Sequence, residues 1–149
     1  MPENQTFIIE PKALTPGLTF YRRADGIFVF VFRDMTPKTV TAWAVQSSQN
    51  DRAAYQARQH IRTLYDMRGH WILSPYMIAK AVQVAEETPN NLVESIAVLG
   101  DKLTITVLGG VIRRLTPKVR QSIMVFTRED DALLWFAERV ALLGAPAFV

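Results

Sequence analysis

Asp66, Arg68 and His70 alternate along the stretch YDMRGHWILSPY, and Trp71, Ser74 and Tyr76 follow them. These residue types serve proton transfer, anion pairing and nucleophilic attack. A serine nucleophile needs a histidine beside it and an acid to orient that histidine. Ser74, His70 and Asp66 supply the types, but nothing in their spacing makes the side chains converge. Ser74 precedes Pro75, the arrangement of a helix cap with proline at the first helical position. A phosphate on Ser74 would still sit at the positive end of that helix. Asp66 is as well placed to pair with Arg68 or loop amides as with a ligand. Trp71 sits in a loop where a neighbouring element or a partner must bury it, and tryptophan is enriched at interaction hot spots. The six residues are candidates for contacting a ligand or partner, and no catalytic residue is assigned.

A second group is electrostatic. From Lys102 to Arg128 there are basic residues and no acidic one. Arg113, Arg114, Lys118 and Arg120 form its centre. They are either a solvated helix end or a surface for an anion or acidic protein partner. Aromatic residues are not interleaved with them, so nucleic acid is not expected. The chain has no cysteine and only two histidines, His60 and His70, without His-x-x-x-His spacing. No disulfide, metal site or cofactor is expected.

These groups need elements to hold them. Leu18 to Arg23 and Ile27 to Phe32 read as two strands joined across Ala24-Asp25-Gly26, and Asp-Gly between β-rich runs signals a hairpin. Thr36-Pro37 starts a helix whose apolar stripe is Val40, Trp43 and Ala44, with a plausible break at Asn50-Asp51. Ile61 to Met67 is a strand. Ser74-Pro75 opens a helix with Ile78, Ala81, Val82 and Ala85 on one face. SIAVLG is a short buried strand. A helix follows from about Thr104 to Leu115, then the strand QSIMVF, then a helix capped by Thr127 with Glu129, Asp130 and Asp131 in its first turn.

The order predicts an α/β fold: a five-stranded, mostly parallel sheet with an N-terminal antiparallel hairpin strand and four helices. Residues 1–17, with three prolines, read as a flexible arm. Residues 18–144 form a single domain, and 145–149 a tail. If successive strands are neighbours, every crossover helix lies on one face of the sheet. The Phe-rich strand and SIMVF are apolar on both sides, so a helix must cross over or a second subunit must cover the other face. A homodimer is expected. No apolar run is long enough to span a bilayer and no secretory signal is visible, which points to the cytoplasm.

The pattern resembles the SpoIIAA-like (STAS/SEC14-type) domains of bacteria. The similar features are the hairpin start, TLYDMRG before SPYMIAKAV, ESIAVLGD, and IMVFTREDDALLWFAERV, over about residues 18 to 142. The resemblance implies a β-α superhelical sheet with four helices. It implies a non-enzymatic regulatory or protein-interaction module, or alternatively a carrier of a small apolar ligand or lipid. Some relatives switch by serine phosphorylation in an Asp-Ser-Ser-Gly motif. Here Leu73-Ser74-Pro75-Tyr76 opens the helix instead. A closed pocket of several hundred cubic ångströms would favour the carrier. A flat exposed patch around Trp71 would favour the interaction module.

Overall fold

The computed structural model describes residues 7–69, 73–115 and 117–144. Within them the chain runs β1 (Phe7–Thr15), β2 (Leu18–Arg23), β3 (Phe28–Phe32), α1 (Pro37–Ala57), β4 (Ile61–Asp66) and α2 (Pro75–Glu87). It continues through β5 (Glu94–Leu99), α3 (Lys102–Ile112), α4 (Pro117–Ser122), β6 (Ile123–Phe126) and α5 (Glu129–Leu143). The α/β class is as expected, but the described residues hold six strands and five helices, not five and four.

The additional strand is β1, in the segment expected to be a loose arm. It pairs antiparallel with β2 as the outermost strand, with register shifts on either side of Pro11. Proline lacks the donor a central strand needs, but an edge strand with bulges accommodates it. The additional helix is α4, between α3 and β6, and it takes in Gln121 and Ser122, which were expected to open the last strand. Its first residue, Pro117, follows Thr116, the same Thr-Pro pair that starts α1.

The sheet order is β1-β2-β3-β4-β5-β6, so each strand lies beside its neighbours in sequence. The β1–β2 and β2–β3 pairs are antiparallel, and the three later pairs are parallel. The hairpin at Asp25-Gly26 closes as expected. Arg23 N donates to Ile27 O at 2.9 Å, and Gly26 takes φ 88°, which glycine adopts without a Cβ clash.

Alternation along the strands splits the core in two. Phe28, Phe30 and Phe32 point to the face that packs against α1, α2 and α3 through Val40, Trp43, Met77 and Leu108. Ile27, Val29, Leu64, Ala97 and Leu99 point to the other face, where Ala132 and Phe136 of α5 cover them. A helix, α5, therefore crosses to the second face.

Capping fixes where the helices begin. Thr36 accepts from Thr39 N, Ser74 from Met77 N and Asp101 from Thr104 N. Asp101 sets α3 earlier than the expected start at Thr104. The first residue before α5 is Arg128, without a side-chain cap, so Thr127 does not play the expected role. Helix α1 runs unbroken through Asn50-Asp51, where Gln46 Nε2 donates to Asn50 Oδ1 at 3.0 Å one turn away. It ends at Arg58 in the left-handed conformation, φ 53°.

Candidate functional site

The loop after β4 shows first how the sequence candidates are used. Asp66 and Arg68 are spent on each other. Arg68 Nε donates to Asp66 Oδ1 at 2.9 Å, Nη2 to Oδ2 at 2.7 Å, and Arg68 N to Oδ1 at 3.2 Å. Ser74 Oγ accepts from Met77 N at 3.1 Å, the geometry of a cap. Tyr76 is exposed, and its hydroxyl shares a 2.9 Å hydrogen bond with Thr41 Oγ1, tying α2 to α1. His70 and Trp71 lie outside the described residues. Here local pairing and capping account for the polar groups that are described.

The basic candidates differ in exposure. Arg113 caps the end of α3, Arg114 follows it, and both are exposed, as is Arg120. They lie beyond the last turn of α3, not within it. Lys118 turns inward and donates through Nζ to the Pro89 carbonyl. Burial lowers its pKa, and Glu94 and Asp51 push it back up.

Those two acids mark the site that sequence reasoning missed. Between α1, α2, α3, α4 and the sheet lies a cavity of about 100 Å³. Most of its wall is apolar, including Met67, Met77, Val98, Leu108, Ile112 and Ile123. One region is polar: Ser47 and Asp51 from α1, Thr63 and Tyr65 from β4, and Glu94 from the start of β5. Ser47 and Asp51 are one helical turn apart, on the stripe that continues Val40 and Trp43. Glu94 pairs with Ile61 across the β4–β5 ladder, and its alternation with Ile96 and Val98 turns it to the cavity face.

The electrostatics are unusual for a core. Glu94 is 5% exposed, and its Oε1 has no hydrogen-bond partner. Burial raises its pKa, while Lys118 and Arg139 oppose the rise. Asp51 is raised to about 7, chiefly by burial and then by the negative charge of Glu94, with Lys118 acting against both. Burial also raises Tyr65. Ser47 Oγ and Trp43 Nε1 are buried near the Tyr65 phenol without completing a hydrogen bond. Buried polar atoms are ordinarily paired, so three orphans around one cavity mark it out. Asp51, Val84 and Thr88 also line a cleft of about 150 Å³ between the ends of α1 and α2.

A second polar cluster sits beneath the first residues of β4 and β5. His60 Nε2 and Ser95 Oγ are 2.7 Å apart, and Arg139 Nε donates to the same Oγ at 2.8 Å. Burial drives His60 down to about 4, so the ring is neutral near pH 7 and shares its Nε2 hydrogen bond with the Ser95 hydroxyl. Its Nδ1 lies near the Gly144 backbone without closing a hydrogen bond. Serine and histidine are the types of a nucleophile and its base, but Ser95 is 0% and His60 2% exposed. The cluster, with Arg139 Nη2 donating to Glu94 O at 2.9 Å, fastens α5 to the sheet.

Signals for the cavity existed in the sequence. Ser47 and Asp51 lie on the inward stripe of α1, and Glu94 opens an otherwise apolar strand. Nothing local linked them, because the fold joins residues from three elements. Among the described residues no group of acids and histidines suits a metal ion, and no helix is long and apolar enough to cross a membrane. The chain matches no family model, no curated protein and no solved structure.

Proposed function

We propose that this protein is a non-enzymatic binding module for a small, mainly apolar ligand with a polar head. The observation that carries the reading is an apolar cavity whose polar region holds a buried carboxylate, Glu94, with an unpartnered oxygen. Its volume is below the several hundred cubic ångströms of a lipid carrier, and matches a fragment of a few heavy atoms. Helix α3 is the wall best suited to yield to a longer ligand. Leu108 is its single buried residue, and a Cβ on Gly109 or Gly110 would meet nothing within 4 Å. The cleft that shares Asp51 offers the entry. The resemblance to SpoIIAA-like domains supports this reading, because relatives include ligand carriers and the sequential strand order suits a β-α superhelix.

The test begins with mass spectrometry of the purified protein under native and denaturing conditions, to detect a retained small molecule. Calorimetry with short alkyl probes follows. Ala81 lines the cavity, and Ala81→Leu should fill part of it and weaken probe binding at least tenfold. Unchanged affinity in that variant would place binding elsewhere.

A protein-interaction role is a second reading, favoured by the outer surface of α3. Leu103 is 74% exposed and Val107 45%, although a helix apolar on all sides is normally covered. This surface suits a homodimer, and the exposed Arg113 and Arg114 beside it suit an acidic partner. Sedimentation at micromolar concentration should then show a species twice 16.9 kDa. A monomer throughout that range removes the homodimer.

A further inference from the structure

The polar region of the cavity has a charge character of its own. We infer that it receives the ammonium group of a small alkylamine or arylamine whose apolar body lies against α3. This rests on the apolar-ligand reading, because the same cavity must admit the body of the amine.

An ammonium group has three N–H donors and one positive charge. The cavity offers acceptors from three residues. Glu94 Oε1 is buried without a partner, Ser47 Oγ is likewise unpaired, and Asp51 lines the same wall one turn from Ser47. The nearby cations are engaged elsewhere. Lys118 Nζ bonds the Pro89 carbonyl, and Arg139 donates to Ser95 Oγ and to the backbone oxygen of Glu94. Among the described residues neither cation forms an ion pair with Asp51 or Glu94.

Competing head groups fit less well. A carboxylate or phosphate would meet two acids in a poorly solvated wall, where like charges repel strongly. A hydroxyl would donate one hydrogen bond and bring no charge. Hydrogen bonds to ionised groups are also the stronger kind. The bound cation would favour the ionised acids, so the proton that Asp51 holds part of the time near neutrality leaves as the amine enters. Asp51 and Glu94 face Lys118, Arg139 and Tyr65 in this network, so the proton count reports on the cluster as a whole.

The experiment is calorimetric titration of the full chain at pH 7 with n-butylammonium chloride, n-butanol and sodium butyrate. Buffers of different ionisation enthalpy give the proton count. Butylammonium should bind about tenfold or more tightly than butanol, and butyrate more weakly than either. Each butylammonium bound should release a fraction of a proton. Glu94→Gln and Asp51→Asn should each weaken butylammonium about tenfold and leave butanol within about twofold. Both changes preserve side-chain shape, and Asp51→Asn alone suffices if Glu94→Gln does not fold. Butylammonium that binds no better than butanol, or that ignores the substitutions, overturns the amine inference and leaves an apolar site. If none of the three binds, the ligand reading itself fails.

Discussion

Asp51→Asn should make the protein more stable at pH 8 while leaving it nearly unchanged at pH 4. Asp51 has a folded-state pKa of about 7 against an ordinary value of 3.8, because burial and then Glu94 disfavour its charge. A group raised in this way contributes stability that is fully present below the unfolded pKa and lost as pH rises through the folded one. The shift is about 3 units, an upper figure of about 4 kcal/mol. The Asp51 residue retains partial solvent exposure, which screens the interaction, so about 2 kcal/mol is a fair expectation. Asparagine keeps the shape and cannot ionise. In a chain of 149 residues that difference corresponds to about 6 °C in Tm at pH 8. Thermal and urea unfolding of both proteins at pH 4, 6 and 8 would measure it. A stability difference that is the same at pH 4 and pH 8, or a variant less stable at pH 8, would show that Asp51 does not carry the burial penalty.

The other expectations concern the surrounding structure. His60 is depressed from 6.5 to about 4, so its contribution is present above pH 6.5 and lost as pH falls toward 4, by about 3 kcal/mol. That slope opposes the one from Asp51, so the Asp51→Asn background should expose it, and adding His60→Gln should flatten it; a slope that survives rules out His60 as its source. Ser74→Ala should cost about 1 kcal/mol through the lost cap, and Ser74→Asp much less, in urea titrations; equal large losses would mean the hydroxyl has another role. Asp66→Asn should change stability by no more than about 1 kcal/mol, because the Arg68 side chain is 48% exposed and the pair is screened by solvent. A much larger loss would reveal a role for that carboxylate beyond the pair.

The legible parts of the fold were those written in a few adjacent residues. Asp25-Gly26 announced the hairpin, and Ser74-Pro75 and Thr36-Pro37 announced helix starts, because turns and caps are local events. Strand β1 escaped notice because Pro11 and the nearby prolines suggest loose chain; only its position at the sheet edge makes the strand tolerable. The break expected at Asn50-Asp51 failed for a related reason. Those polar residues are held by a helix packed on both sides of the interruption, and tertiary packing overrides weak local preference. The cavity was the least legible feature. Its acids come from α1 and β5, and what distinguishes them is burial, which no stretch of residues displays.

Sequential strand order has a consequence for synthesis. Each strand from β2 onward can dock on the strand made just before it, so the sheet can grow from its N-terminal edge as the chain emerges. Helices α1 to α4 arrive in step and cover one side as it forms. The other side has no such escort. Ile27, Val29, Leu64, Ala97 and Leu99 wait for Ala132 and Phe136, near the end of the chain. A nascent protein stalled after β6 would present that apolar wall to its neighbours, and the docking of α5 is thus the step that separates a sticky intermediate from a covered sheet.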